Sequence, residues 1–199
     1  TQSIVFSARF LGSRVALRAP ENDDQGCPLI SHAPHAAVGG LNDLLARRIG
    51  MRRTEPLGGE RIEAPDAVCL GRLGCLATGM SVRELARVVK QKLTIERARL
   101  AGDPGMRVEK AAVVAGSGGS LLPLFLQSPA EVLITGDLRY HEARDIEEAG
   151  RAAIDIGHFH SERMMPKSVA DRLRRRLQRR RPSVRVDACA LEKDPFIFV

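Results

Sequence analysis

Three short apolar runs, each closed by glycine and polar residues, dominate the pattern along this chain. Ala111-Ala112-Val113-Val114-Ala115 breaks into Gly116-Ser117-Gly118-Gly119-Ser120. Glu131-Val132-Leu133-Ile134-Thr135 ends in Gly136-Asp137-Leu138-Arg139-Tyr140-His141, and Arg151-Ala152-Ala153-Ile154-Asp155-Ile156 ends in Gly157-His158-Phe159-His160-Ser161-Glu162. Continuous apolar runs of this length, separated by helical segments, predict parallel strands covered on both faces. In such sheets ligands bind at the carboxyl ends of the strands, where all three runs place glycine and polar groups. The pattern predicts an α/β fold with a candidate site along that edge.

Elsewhere the periodicity is helical or broken. Leu41, Leu44, Leu45 and Ile49 share one face of a predicted helix over 41–50, with Asn42 and Asp43 in its first turn and Gly50 as its stop. Ser81 followed by Glu84 spells a capping box, and Val82, Leu85, Val88, Val89 and Leu93 form the stripe of the helix it opens. A helix over 138–149 follows the second run. Pro166 interrupts a last helical pattern, which resumes over 167–180 with Val169, Leu173 and Leu177 inward. Segments 14–17, 68–76, 97–100, 106–108 and 184–186 read as strands. Residues 52–65 are rich in Gly, Pro and charge and read as a loop between lobes. The apolar tail Pro195-Phe196-Ile197-Phe198-Val199 is expected to dock.

Composition narrows the class. A chain of 199 residues can bury a sizeable core. No apolar run approaches the ~20 residues of a membrane span, so a cytoplasmic, non-membrane protein is expected. It opens at Thr1 rather than methionine, as a processed or incomplete chain would. Cys27, Cys69, Cys75 and Cys189 have no metal-finger spacing and read as reduced thiols. The net charge of +7 draws much of its excess from the arginine-rich run 172–181. With one Tyr, six Phe and no Trp, base-stacking surfaces are poorly supplied. Specific nucleic-acid recognition is therefore not expected.

The polar turns carry the candidate chemistry. His158 and Glu162 are four apart, which on a helical turn puts an imidazole and a carboxylate on one side. That pair suits zinc, manganese or iron better than calcium, although such pairs also occur on solvated helices. His160 between them points elsewhere. Asp137 and His141 form a second pair, in which the aspartate could orient the imidazole as a general base or cap the helix that follows. Gly116, Ser117, Gly118, Gly119 and Ser120 read either as an anion nest or as backbone packed tightly against neighbouring strand ends. His32 and His35 lie in an Ala/Pro-rich stretch and read equally as loop residues or as ligands.

Taken together, the segments AGSGGSL, TGDLRYHEA and IDIGHFHSER, with Gly39-Gly40-Leu41-Asn42-Asp43 and Leu70-Gly71-Arg72-Leu73-Gly74 upstream and Asp194-Pro195-Phe196 downstream, resemble the NIF-three-like family of GTP cyclohydrolase 1 type 2 homologues. The resemblance covers residues 29–199. It implies a two-lobed, three-layer α/β/α architecture, with a divergent segment 1–28, a lobe over 29–108 and a second lobe over 109–199. It also implies a two-metal site in which His158 and Glu162 are ligands, and a glycine loop at 116–120 lining the same pocket. His35 occupies the place of the family's aspartate ligand, counted back without a gap. The implied activity is a metal-dependent hydrolase, water activated by a divalent ion (zinc, manganese, iron or magnesium) attacking a small, nucleotide-like substrate, with His141 and Asp137 as catalytic groups. Family members form hexamers, so a homo-oligomer is expected. The family's adjacent histidine pair is absent: none of the five histidines neighbours another. The alternative is a non-catalytic metal-binding or regulatory scaffold with a degraded two-metal site.

Overall fold

A computed structural model of the chain describes residues 14–16, 28–30, 39–58, 71–178, 186–188 and 191–197. The chain divides into two compact units, one formed by Thr1–Pro34 with Arg163–Val199 and the other by His35–Glu162. The sequence-based lobe boundary between 108 and 109 falls inside a single strand of the second unit.

In the first unit, β1 (Arg14–Ala16) pairs antiparallel with β2 (Pro28–Ile30). Its long helix, Met165–Gln178, starts around Pro166, where a missing N–H costs nothing. Val169, Leu173 and Leu177 are half-buried there rather than enclosed. The tail expected to dock is exposed over its described part: Leu191, Phe196 and Ile197 all face solvent. Within it Phe196 N donates to Asp194 Oδ1 at 3.0 Å. Of the strand expected at 184–186, only Val186 is described; it is buried, in an irregular segment.

The second unit holds a six-stranded mixed sheet. Its strands in chain order are β3 (Arg52–Pro56), β4 (Arg72–Ser81), β5 (Arg99–Ala101), β6 (Arg107–Ser117), β7 (Val132–Gly136) and β8 (Ala152–Asp155). They lie in the order β3-β4-β6-β7-β8-β5. The three apolar runs are its centre and run parallel, Val113 opposite Ile134 and Ile134 opposite Ile154. Antiparallel strands flank them: β4 on β6, β3 on β4 and β5 on β8. The loop expected over 52–65 is thus partly an edge strand. Nearly every side chain of β3 is exposed, so the sequence carries no alternation there, and backbone pairing with β4 alone makes it a strand.

Among the described residues the α-helices of this unit are α1 (Leu41–Ile49), α2 (Val82–Leu93), α3 (Leu122–Gln127), α4 (Tyr140–Glu148) and α5 (His158–Glu162). Alternation along the central strands divides the core between two faces. Ala112, Val114, Leu133 and Ala153 pack with Leu122 and Phe125 of α3 and Ile146 of α4. Their neighbours Ala111, Val113, Ile134 and Ile154 are fully buried without belonging to that cluster; α1 and α2, which contact each other and β4, cover this other face. The result is the three-layer α/β/α arrangement expected. Gly50 closes α1 in the left-handed region, and Ser81 opens α2 with both arms of the predicted capping box.

Candidate functional site

The parallel centre brings the polar ends of β6, β7 and β8 to one edge. The structure joins two of the three turns directly and seats the third against them. Gly136, ending β7, lies so close to the turn after β8 that a Cβ on it would meet the backbone of Gly157 and His158 at 2.7 Å. Gly116, at φ +74 near the end of β6, donates its N–H to Ser161 Oγ at 2.7 Å and accepts from Thr135 Oγ1 at 3.2 Å. Ser161 in turn donates to His158 O at 2.7 Å. A Cβ on Gly116 would sit 2.5 Å from Glu162 Oε1 and 3.4 Å from His158 Nε2. The glycine therefore leaves open the space over both predicted metal ligands.

His158 stands between two carboxylates. Its Nδ1 lies 3.1 Å from Asp137 Oδ2, and its Nε2 lies 3.3 Å from Glu162 Oε1. Glu162 is almost fully enclosed, whereas Asp137 is half exposed. With Asp137 accepting from Nδ1–H, the other ring nitrogen carries the lone pair, and that Nε2 is buried without a hydrogen bond among the described residues. A lone pair facing a carboxylate oxygen is electrostatically uncomfortable unless a cation lies between them. When the ring is protonated the proton plays that part. The Glu162 carboxylate accordingly raises the His158 pKa above its ordinary value; burial works against this and Asp137 adds to it.

These features fit a divalent metal: a buried nitrogen without a hydrogen bond, a carboxylate oxygen beside it, a glycine that leaves room, and a second carboxylate fixing the tautomer as in carboxylate–histidine–metal triads. Among the described residues no group of three or more His, Cys, Asp or Glu converges as a ligand set. His32 and His35 lie outside the described residues.

Asp137 differs from both roles expected for it. It neither caps α4 nor touches His141. It sits at φ 54, a backbone shape that aspartate tolerates better than most residues, and turns its side chain to His158. The first turn of α4 is closed instead by Glu142, whose Oε2 accepts from Arg139 N at 2.8 Å. Burial alone would raise the pKa of Glu142, but its bonds to Arg139 outweigh this and hold it below the usual carboxylate range. His141 is exposed, its ring edge-on to Tyr140 with centroids 5.5 Å apart. Of the glycine loop, Ser117 and Ser120 are exposed, while Gly118 packs on the Thr135 side chain and Gly119 on the Glu142 carboxylate. Tight packing thus accounts for these glycines.

Three residues at this edge escaped the sequence reading. Ser161 and Thr135 grip the two backbone polar groups of Gly116. Asp155, buried at the end of β8, accepts from the backbone of both neighbouring turns. An aspartate closing an otherwise apolar strand was the available signal. Behind the edge, Asn42 Oδ1 accepts from Ala115 N at 2.7 Å, and Asp43 takes the guanidinium of buried Arg72 through both oxygens, at 2.6 and 3.2 Å. The Gly-Gly-x-Asn-Asp segment is therefore a brace between α1 and the sheet.

Comparison with known proteins identifies the family and the fold. The profile of the family Duf34/NIF3 (NGG1p interacting factor 3) matches residues 29–195. A GTP cyclohydrolase 1 type 2 homolog of Clostridium perfringens is 32% identical over 161 residues, covering 81% of this chain and 60% of the relative. A protein of the same name from Lactococcus lactis is 36% identical over 141 residues, 69% of this chain and 51% of its own length. The chain thus spans between half and two thirds of these relatives. A Bacillus cereus protein related to NIF3 superposes with a TM-score of 0.74 at 23% identity, over 83% of this chain and 71% of that one. A Staphylococcus aureus structure gives 0.73 at 20% identity, over 87% and 70%; both likenesses concern the fold. No helix among the described residues is long and apolar enough to cross a membrane.

Proposed function

The chain belongs to the Duf34/NIF3 family, and from that premise we propose that it is a metal-dependent hydrolase of the GTP cyclohydrolase 1 type 2 kind. The observation that carries the reading is His158 Nε2, buried, without a hydrogen bond among the described residues, and facing Glu162 Oε1 at 3.3 Å beneath Gly116. His158 and Glu162 are the ligands, and Asp137 holds the imidazole in the tautomer that ligation needs. His35, outside the described residues, is proposed as a further ligand in place of the family's aspartate. When bound, a divalent ion such as zinc, manganese, iron or magnesium supplies an acidified water near neutral pH. In this reading the exposed His141 exchanges a proton with the substrate, and the exposed Ser117 and Ser120 offer hydroxyls to a small, nucleotide-like molecule. A homo-oligomeric assembly is part of the same proposal.

A second reading is favoured by one observation. Two ligands from one turn, with no third among the described residues, suit a metal-binding or regulatory scaffold as well as an enzyme. Titration calorimetry with zinc and manganese on the full chain tests the shared premise. His158→Ala is expected to abolish binding, and Glu162→Gln to weaken it at nearly constant shape. Equal affinity for wild type and His158→Ala overturns both readings. Binding without turnover of GTP or related nucleotides leaves only the scaffold.

A further inference from the structure

Asp155 ends β8 with its side chain almost wholly enclosed. A carboxylate taken out of water is costly unless its lone pairs are filled, and here four donors fill them. Oδ1 accepts from Asp137 N at 3.1 Å and Gly157 N at 2.9 Å. Oδ2 accepts from Leu138 N at 3.1 Å and from the Arg99 guanidinium. Arg99, reaching over from β5 with most of its side chain in solvent, also donates to Leu138 O at 3.1 Å. One carboxylate and one guanidinium therefore bind the turn after β7 to the turn after β8. The first turn carries Asp137 and the second carries His158.

Their relative placement decides the state of the imidazole. The two consecutive N–H groups that Asp155 accepts, from Asp137 and Leu138, are those of the residue at φ 54 and its successor. They pin an unfavoured backbone shape that turns the Asp137 carboxylate toward His158 Nδ1. We propose that Asp155 is a positioning residue: by locking the Asp137 turn against the His158 turn, it keeps the proton of neutral His158 on Nδ1 and the lone pair on Nε2, facing Glu162. Its functional meaning rests on the metal-ligand reading of His158 and Glu162, but the tautomer is a property of the metal-free chain and is measured without metal. Arg99 offsets the charge of Asp155 from outside. A purely structural Asp155 would lower stability when changed and leave the tautomer alone.

Asp155→Asn keeps the size of the side chain but sets an amide NH2 donor to donor, against Asp137 N and Gly157 N in one orientation or against Leu138 N and Arg99 in the other. Long-range proton–nitrogen NMR on the metal-free full chain, above the His158 titration, reads the tautomer; the signals are assigned by their loss in His158→Gln. Wild type is expected to show the Nδ1–H form. Asp155→Asn is expected to show a mixture with Nε2–H, and zinc affinity weaker by about tenfold, the lower end of what loss of an orienting partner does. Arg99→Gln, at an exposed side chain, should fold and shift the tautomer in the same direction by less. The inference is overturned if Asp155→Asn folds and keeps the wild-type tautomer. It is equally overturned if Asp155→Asn fails to fold and Arg99→Gln leaves the tautomer unchanged. Should wild type bind no zinc, the metal reading falls, while a tautomer shift in Asp155→Asn still upholds the positioning role.

Discussion

Gly116 is held at φ +74 by bonds at both its backbone polar groups, with the place of its missing side chain aimed at Glu162. Any L-residue there meets two penalties. The left-handed backbone costs about 1–2 kcal/mol, and the new Cβ displaces the glutamate. Gly116→Ala should therefore lower stability by roughly 1–3 kcal/mol and weaken zinc binding; thermal unfolding and titration calorimetry check the two effects separately. Full zinc affinity in this variant would mean that Glu162 is not a ligand. At this scale the sequence was legible for types and only partly for partners. The His158–Glu162 pair follows from spacing along a helical turn. The Asp137–His158 pair joins residues 21 apart, and no local spacing announces it. Asp137 is four residues from His141, so spacing suggested that partner, but a positive φ turned the side chain elsewhere.

At the scale of elements, caps and braces decide where helices sit. Ser81 Oγ accepts from Glu84 N at 3.2 Å, and Glu84 Oε2 accepts from Ser81 N at 2.8 Å. Ser81→Ala should cost about 0.5–2 kcal/mol, seen as a lower denaturation midpoint with zinc affinity unchanged; an unshifted midpoint would place the start of α2 elsewhere. The Asp43–Arg72 bridge ties α1 to β4. Burial alone would raise the pKa of Asp43, but its bonds to Arg72 and Gly39 and the charge of Arg47 hold it below the ordinary value. A carboxylate depressed in the folded state contributes stability above its unfolded pKa of about 4, and loses it as pH falls through the folded pKa. Wild type should therefore lose stability below about pH 4 more steeply than Asp43→Asn. At pH 7 the variant should already be weaker by on the order of 3 kcal/mol, because a buried guanidinium loses the carboxylate that accepts two of its N–H groups. Denaturant titrations across pH 2–7, about the range in which carboxylates titrate, measure both. Equal acid slopes would show that the bridge is not formed in solution. Capping was readable because Ser81 and Glu84 are neighbours on one turn. The bridge was not, since Asp43 and Arg72 are 29 residues apart, and Arg72 looks like any surface arginine until the fold buries it.

At the scale of the whole molecule, the parallel centre is the enclosed part of the sheet: the residues of β7 and β8 are buried throughout. The edges differ. β3 is almost wholly exposed and β5 is three residues long. Hydrogen exchange should find the slowest amides at Ala112, Leu133 and Ala153. Those of Arg53 and Leu100, on edge strands, should exchange on the order of 100-fold faster, because edges open without the core. Uniform protection across the sheet would contradict this order.

What the sequence determined by itself was whatever rests on local periodicity. Continuous apolar runs of this length, separated by helical segments, read as strands covered on both faces, so β6, β7 and β8 and their parallel direction were legible, as were α1 and α2. Resemblance along the ordered motifs added the family. Tertiary structure alone decided the rest. The edge strand β3 exists because β4 offers it hydrogen bonds, and its polar side chains carry no pattern to betray it. The apolar tail residues Phe196 and Ile197 face solvent, although an apolar run reads as one that docks. Asp155, Ser161 and Thr135 became parts of the site because the sheet carries their hydrogen-bonding groups to backbone atoms distant in sequence, and a buried polar group must find such partners wherever the fold supplies them.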